Sequence, residues 1–129
     1  MLAKILPLLL LAACAATAPL PATEQPELAQ LLQPYAPQLR AVGIARVIST
    51  GNGDMVRLET GYGPVYVRYP ANLPPAAFVL DVGPDGVKAA ATNFDRSRDA
   101  QMLAAIVPEA VRVTMANNRL EWIRANPWN

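Results

Sequence analysis

Apolar and polar side chains alternate from residue 42 to residue 69, and this period of two is the feature that most restricts the fold. Alternation places apolar side chains on one face of a β-strand and polar side chains on the other. Residues 51–54 and 61–64 interrupt the pattern with glycine-rich clusters that are typical of tight turns between antiparallel strands. The pattern therefore predicts a three-stranded meander. Its first strand is predicted to place Val42, Ile44 and Ile48 on one face, with Arg46 as an exception on that face.

Two further segments are expected to enlarge this sheet. Phe78, Leu80 and Val82 alternate as in a fourth strand, and the Gly-Pro-Asp-Gly sequence at 83–86 has turn chemistry. Residues 87–91 are then placed to pair back as a fifth strand. We therefore expect an antiparallel sheet of about four to six strands.

One or two helices are predicted to pack on the sheet. Pro26 suits the first turn of a helix that has leucines on one face and is interrupted by Pro34 and Pro37. Asp95 or Ser97 is predicted to cap a later helix that runs to Val107 and ends at Pro108. Its apolar stripe consists of Met102, Leu103 and Ile106.

Residues 109–125 fit two structures. Val111, Val113 and Met115 alternate as in a strand, and the Asn117-Asn118 pair can form a turn, so a hairpin is favoured over a helix. In either case the fold class is α+β, and residues 27–129 are predicted to form one domain.

Charge and residue types limit the chemistry of the chain. It has 11 Lys+Arg and 10 Asp+Glu, no histidine and one cysteine. The balanced charge argues against nucleic acid as a partner, since phosphate binding needs an excess or a concentrated face of positive charge. Without histidine, Ser-His-Asp and Cys-His catalysis and the usual zinc sites are excluded. No metal, cofactor or catalytic residue is predicted, and we do not expect an enzyme.

The first fourteen residues have the organisation of an export signal. Lys4 gives a short basic start, residues 5–11 are apolar but too few to span a bilayer, and small residues follow. The sequence Leu11-Ala12-Ala13-Cys14 resembles the lipobox of bacterial lipoproteins. The resemblance covers only this segment and implies cleavage between Ala13 and Cys14, with lipid attached to the Cys14 thiol. Residues 1–13 would then be the signal peptide.

The resemblance also implies a location and a partner. Two or three acyl chains give stable membrane anchoring, and Ala15 after the cysteine implies the periplasmic side of the outer membrane in a diderm organism. Residues 14–26 hold three prolines and several small residues, so they are predicted to form an extended tether. An ordinary secretory cleavage after Ala15, which would release a soluble protein, is the alternative.

Tyr62, Tyr66, Arg68 and Tyr69 cluster around the second predicted hairpin and are the candidate binding residues. Aromatic residues with an arginine could form a binding patch for a glycan or for a partner protein. The alternative interpretation is that strands favour tyrosine and that one face simply packs on the core.

Two pairs of carboxylates and one basic, aromatic segment complete the candidates. Asp95 and Asp99 suit a helix start, and Asp81 and Asp85 flank a turn, so ordinary structural roles are favoured over acid-base or calcium chemistry. Arg112, Arg119 and Arg124 are interleaved with Trp122 in the last segment, so this face could meet anionic lipid or peptidoglycan. A solvated face, with Glu121 as a pairing partner, is favoured over that alternative. Trp128 is expected to pack back on the domain.

The functional expectation is a membrane-tethered periplasmic lipoprotein that acts as a small binding or scaffold module for an envelope protein, without catalysis. A carboxylate-dependent cell-wall hydrolase is the catalytic alternative, and it requires two carboxylates about 5–10 Å apart in a cleft.

Overall fold

The computed structural model describes residues 23–128, so the predicted signal peptide, the cleavage site and Cys14 lie outside the described residues. The described chain forms a five-stranded antiparallel sheet with helices packed on one face, which confirms the predicted α+β class. In chain order the elements are α1 (Pro26–Leu32), a 3₁₀ turn (Gln33–Tyr35), α2 (Ala36–Ala41), β1 (Ile44–Thr50), β2 (Met55–Thr60), β3 (Gly63–Arg68), β4 (Ala77–Gly83), β5 (Gly86–Ala91) and α3 (Arg96–Ala125).

The strand order is β3-β2-β1-β4-β5, with β1 at the centre. The predicted meander β1-β2-β3 is present, and β5 pairs back on β4 as expected. β4 pairs with the free edge of β1, so the chain returns across the sheet between β3 and β4. The Ser49 hydroxyl donates a 2.6 Å hydrogen bond to the carbonyl of Ala76, which fixes the end of this return beside β1.

A register shift in β1 corrects the predicted assignment of its faces. The shift lies between Ile44 and Arg46, as in a β-bulge. Ile44 and Val47 are buried, whereas Arg46 and Ile48 lie on the opposite face. The prediction that Ile44 and Ile48 share a face was wrong because one extra residue reverses the alternation. Val42 lies outside the strand and closes α2.

The core lies between the inner face of the sheet and the helices. β4 contributes Phe78, Leu80 and Val82 to it, as the alternation predicts. α1 contributes Leu28 and Leu32, and α2 contributes Leu39; all three leucines are at most 1% exposed. α1 packs beside β5, α2 beside β1 and β4, and α3 beside β3, so together the helices cover the width of this face.

The prolines divide the N-terminal helical region into three pieces. Pro26, Pro34 and Pro37 each lie in the first two positions of a helical piece, where the missing N–H has no intrahelical partner to lose. The predicted helix at Pro26 is present, and two short helical pieces follow it where the sequence suggested a turn.

The predicted hairpin at 109–125 is wrong, because α3 is one helix of 30 residues from Arg96 to Ala125. Its buried side continues past Pro108 at helical spacing, through Ala110 and Thr114. Asn118, assigned to a turn in the hairpin, lies within the helix and donates a 2.9 Å hydrogen bond from Nδ2 to the carbonyl of Val42. Tertiary packing therefore overrides the local alternation.

Pro108 does not end α3, which also corrects the prediction. Pro108 lies on an exposed side of the helix, as does Ala104 four residues before it. The carbonyl that loses its helical N–H partner at this site can therefore be hydrated by solvent, which lowers the penalty of an internal proline. Within residues 23–128, no helix combines the length and apolar character that are needed to cross a bilayer.

Residues 23–25, which the sequence assigns to the tether, pair with β5. Glu24 forms an antiparallel bridge with Ala90, and the amide of Gln25 donates a 2.8 Å hydrogen bond to the carbonyl of Ala89. The Ala91 amide donates in turn to the carbonyl of Thr23, over 3.1 Å. The domain therefore begins before Pro26, and the chain enters it at the outer edge of β5.

The cap of α3 leads to a stability prediction. The Asp95 carboxylate accepts a 2.9 Å hydrogen bond from the Arg98 amide, which confirms Asp95 as the N-cap. We expect Asp95→Ala to lower the free energy of unfolding by about 1 kcal/mol, because a helix amide loses its partner. Urea unfolding of both proteins measures the difference. Asp95→Asn keeps a capping oxygen and should retain most of the stability; an equal loss in both variants would contradict a capping role.

Candidate functional site

The helices leave the second face of the sheet uncovered by any other part of the described chain, and we call it the outer face. The strand registers identify which side chains lie side by side on this face, because residues paired across neighbouring strands lie on the same face with Cβ atoms about 5 Å apart. Two parallel rows of side chains cross the outer face. They differ in chemistry: the first combines an aromatic ring, aliphatic side chains and one arginine, and the second consists of charged side chains.

The first row runs from the β3 edge to the β5 edge. Its register pairs are Tyr66 with Arg57, Arg57 with Ile48, Ile48 with Val79, and Val79 with Ala90. Tyr66 is 50% exposed, and the three aliphatic side chains are partly exposed. The row therefore presents an exposed ring, a guanidinium group and an aliphatic strip side by side.

The second row alternates in sign across four strands: Glu59, Arg46, Asp81 and Lys88. Arg46 Nε lies 2.6 Å from Asp81 Oδ1 in an ion pair that is about 40% exposed. The hydrogen bond to Asp81 raises the pKa of Arg46, and the charge of Asp81 adds to this effect. Because each cation lies beside an anion, the row has little net charge and remains well solvated, and an exposed pair of this kind adds little to stability.

The four predicted binding residues separate in the structure. Tyr66 and Arg68 lie together on the outer face, and Arg68 pairs with Asp54 at 2.6 Å. Tyr62 lies in the turn before β3 and is 54% exposed. Tyr69 lies on the inner side and is 3% exposed, so no partner can reach its ring. The candidate surface therefore consists of Tyr66 and Arg68, with Tyr62 at its margin.

Tyr69 is buried beside the first turn of α3. Burial raises the pKa of its phenol, the nearby Arg98 lowers it, and Asp99 raises it further. The hydroxyl has no hydrogen-bond partner among the described residues. Tyr69 thus contributes an apolar ring to the core, which agrees with the alternative that part of the cluster is structural.

The carboxylate pair Asp95 and Asp99 has a structural role. Asp99 is 1% exposed and accepts a 2.8 Å hydrogen bond from Arg98 Nε and a 3.2 Å hydrogen bond from the Asp95 amide. The hydrogen bond to Asp99 is also the main cause of a raised pKa of Arg98. The two aspartates organise the start of α3, as the capping interpretation predicted.

The second carboxylate pair borders a shallow cleft of about 320 Å³ around the β4–β5 turn, which is lined by Asp81, Asp85 and Lys88. Asp81 is engaged by Arg46 across the sheet, and Asp85 lies in the predicted turn. Among residues 23–128, no group of three or more acidic, histidine or cysteine side chains is placed to hold a metal ion. The catalytic alternative therefore gains no support from this cleft.

The arginines of the last segment lie on α3 and not in a hairpin. Arg112 pairs with Glu109 at 2.5 Å and Arg124 with Glu121 at 2.7 Å, each three residues apart on the exposed helix. The hydrogen bond to Arg112 lowers the pKa of Glu109. The expected pairing with Glu121 is present. Trp128 is 95% exposed, so the expectation that it packs back on the domain was wrong.

Sequence reasoning missed the residues that complete the first row of the outer face. Arg57, Ile48 and Val79 were each placed in a strand, but their association depends on register and strand order. The alternation in β2 already placed Arg57 opposite the apolar Val56 and Leu58. That signal, combined with the β2–β3 pairing, could have joined Arg57 to Tyr66.

Comparison of the chain with protein-family models, with curated proteins and with solved structures gives no match.

The burial of Tyr69 predicts a specific pH dependence. Its pKa is raised in the folded state, so its contribution is fully present below the ordinary pKa near 10 and is lost as pH rises through the folded value. We expect Tyr69→Phe to be less sensitive to alkali than the wild type. Near pH 7 the substitution should change stability by less than about 1 kcal/mol, because the hydroxyl it removes is unpaired among the described residues.

Urea unfolding at about pH 8 and about pH 11 measures this difference. The matched control is Tyr66→Phe, which removes an exposed hydroxyl and should keep the wild-type slope. An unchanged alkaline slope in Tyr69→Phe would contradict the assignment.

Proposed function

We propose that the protein is a lipid-tethered, non-enzymatic binding module of the cell envelope, anchored through Cys14 and engaging a protein partner through the outer face of its sheet. The uncovered outer face carries this proposal. A sheet in a two-layer domain usually places polar side chains on its solvent side. Here the first row instead offers Tyr66, Arg57 and Ile48 in adjacent positions.

The chemistry of the first row is suited to a protein surface. Tyrosine and arginine are enriched among residues that dominate binding energy, because both combine a large apolar contact area with directional hydrogen bonding. The charged second row beside it would form a polar rim. A partner that covers Tyr66 would therefore bury the aromatic ring and leave the alternating charges hydrated.

The position of chain entry sets the reach that a tether would have. The first described residues, Thr23 to Gln25, pair with the edge of β5, and residues 14–22 precede them in the sequence. Nine residues span at most about 30 Å when extended. A lipid on Cys14 would therefore hold Thr23 within about 30 Å of the membrane. The outer face would lie farther away by no more than the width of the domain.

Fatty-acid labelling in cells tests the anchor. We expect the wild type to incorporate an alkyne-labelled fatty acid and to fractionate with membranes. Cys14→Ser should lose the label, because Cys14 is the only cysteine of the chain. Thr17→Ala retains the cysteine and is the matched control. Equal labelling of wild type and Cys14→Ser would overturn the lipid anchor, and a soluble, unlabelled wild type would favour cleavage after Ala15.

Site-specific crosslinking tests the binding surface independently of the anchor. A photoreactive phenylalanine analogue at position 66 should give a discrete adduct with a protein partner in intact envelopes. Arg57→Glu should reduce that adduct several-fold, because it reverses the charge beside Tyr66. Position 30, exposed on α1 in the helical layer, is the control. Equal adducts at 66 and 30, or no adduct at 66, would overturn the role of the outer face.

A further inference from the structure

The last part of α3 extends beyond the packed domain. None of residues 115–128 is buried, and the last hydrogen bond from the helix to the rest of the domain comes from Asn118. We call this segment the helical extension; it comprises the end of α3 and residues 126–128, which follow the helix. Among the described residues, eight large apolar side chains are at least 44% exposed, and five of them lie in the extension: Met115, Leu120, Trp122, Ile123 and Trp128, the last of which is 95% exposed. The other three are Met55, Tyr62 and Tyr66.

Four apolar residues of the extension share one side of the helix. Leu120 follows Met115 and Ala116 after five and four residues, and Ile123 follows Leu120 after three. With Arg119 these residues line a shallow groove. The buried residues Ala110 and Thr114, and then Asn118, mark the side that faces the domain. The extension is thus amphipathic, with its apolar side turned away from the core that stabilises the rest of α3.

Charge separates the extension from the remainder of the domain. The extension carries two arginines and one acidic residue, Arg119, Arg124 and Glu121, and Arg124 pairs with Glu121. Residues 23–114 carry eight basic and nine acidic side chains. Although the described chain is neutral as a whole, the extension therefore has a net charge of +1, and Arg119 lies beside its exposed apolar side chains. Such a surface is complementary to an anionic one.

A second copy of the chain fits this surface poorly. A patch of this kind exposes a few hundred Å², so two copies would bury less than the roughly 1,600 Å² of a standard interface. Their arginines would also approach each other. A bilayer that contains anionic lipid meets both requirements, because it accepts the apolar side chains and attracts the cations. Tryptophan is one of the two aromatic residues, with tyrosine, that are enriched at this interface.

We propose that the helical extension is an interfacial anchor that lies on an anionic phospholipid surface, with Trp122 and Ile123 inserted and Arg119 at the headgroups. This contact does not depend on lipid at Cys14. It adds a second membrane attachment to the one proposed above and would fix the orientation of the domain. Trp122 should reside about 5–10 Å below the headgroup boundary.

Tryptophan fluorescence tests the contact, because both tryptophans of the chain, Trp122 and Trp128, lie in the extension. The full chain with Cys14→Ser and Trp128→Phe leaves Trp122 as the only reporter and removes lipidation from the experiment. Vesicles of phosphatidylcholine alone are compared with vesicles that contain one quarter phosphatidylglycerol. We expect a blue shift of Trp122 and quenching by shallow brominated lipids with the anionic vesicles only.

Variants separate the two components of the contact. Arg119→Gln should weaken partitioning into anionic vesicles roughly fivefold. Leu120→Ser with Ile123→Ser should abolish the shift while circular dichroism shows a folded protein, since both side chains are exposed. Met55→Ser, at an exposed apolar residue of β2 outside the extension, is the control and should bind as the parent does.

Two results would overturn the proposal. The first is Trp122 emission that anionic vesicles leave unchanged, even if another part of the chain binds them. The second is a concentration-dependent dimer in sedimentation that Leu120→Ser with Ile123→Ser makes monomeric, which would assign the surface to a second copy. Neither result bears on labelling of Cys14, so failure of this contact and failure of the lipid anchor are distinguishable.

Discussion

The apolar inner face of the sheet is the constraint on which the remaining structure depends. Its strands β1 to β4 present Ile, Val, Leu and Phe side chains that must be removed from water, and β5 adds two buried alanines. Burial of each of the larger side chains contributes about 1.5–3 kcal/mol. Two short helices and one long helix meet this requirement from the same side. The prolines, the capping aspartate and the buried Arg98–Asp99 pair set where those helices begin. No third layer of the described chain covers the opposite face of the sheet, so that face remains exposed to solvent.

That asymmetry connects the fold to the candidate function. The outer face needs polar groups that water can hydrate, and the alternating charges of the second row, which include the Arg46–Asp81 ion pair, provide them without a large net field. The first row places Arg57 between Tyr66 and the partly exposed Ile48. The proposed binding surface therefore depends on register, which brings Tyr66 and Arg57 together from separate strands.

Much of this architecture can be predicted from the sequence, and each wrong prediction has an identifiable physical cause. Alternation and glycine turns predicted the meander, the fourth strand and the returning fifth strand. A single-residue bulge in β1 is invisible to a pattern with a period of two, so Ile48 was assigned to the wrong face. Residues 109–125 alternate locally but are helical, because Ala110 and Thr114 continue a buried stripe that begins at Met102. Of the candidate cluster, Tyr66 and Arg68 lie on the outer face. The alternation already places Tyr69 on the apolar side of the strand with Val65 and Val67, and Tyr69 is indeed buried.

The edges of the sheet have a consequence for how partners can approach. Residues 23–25 already occupy part of the β5 edge, which leaves the outer side of β3 as the other border of the sheet. That strand contains Pro64, which offers no amide donor, and the charged Arg68. Both features discourage an incoming strand from extending the hydrogen-bonded ladder. Both edges of the sheet therefore disfavour edge-to-edge polymerisation. They equally disfavour the addition of a peptide as a sixth hydrogen-bonded strand.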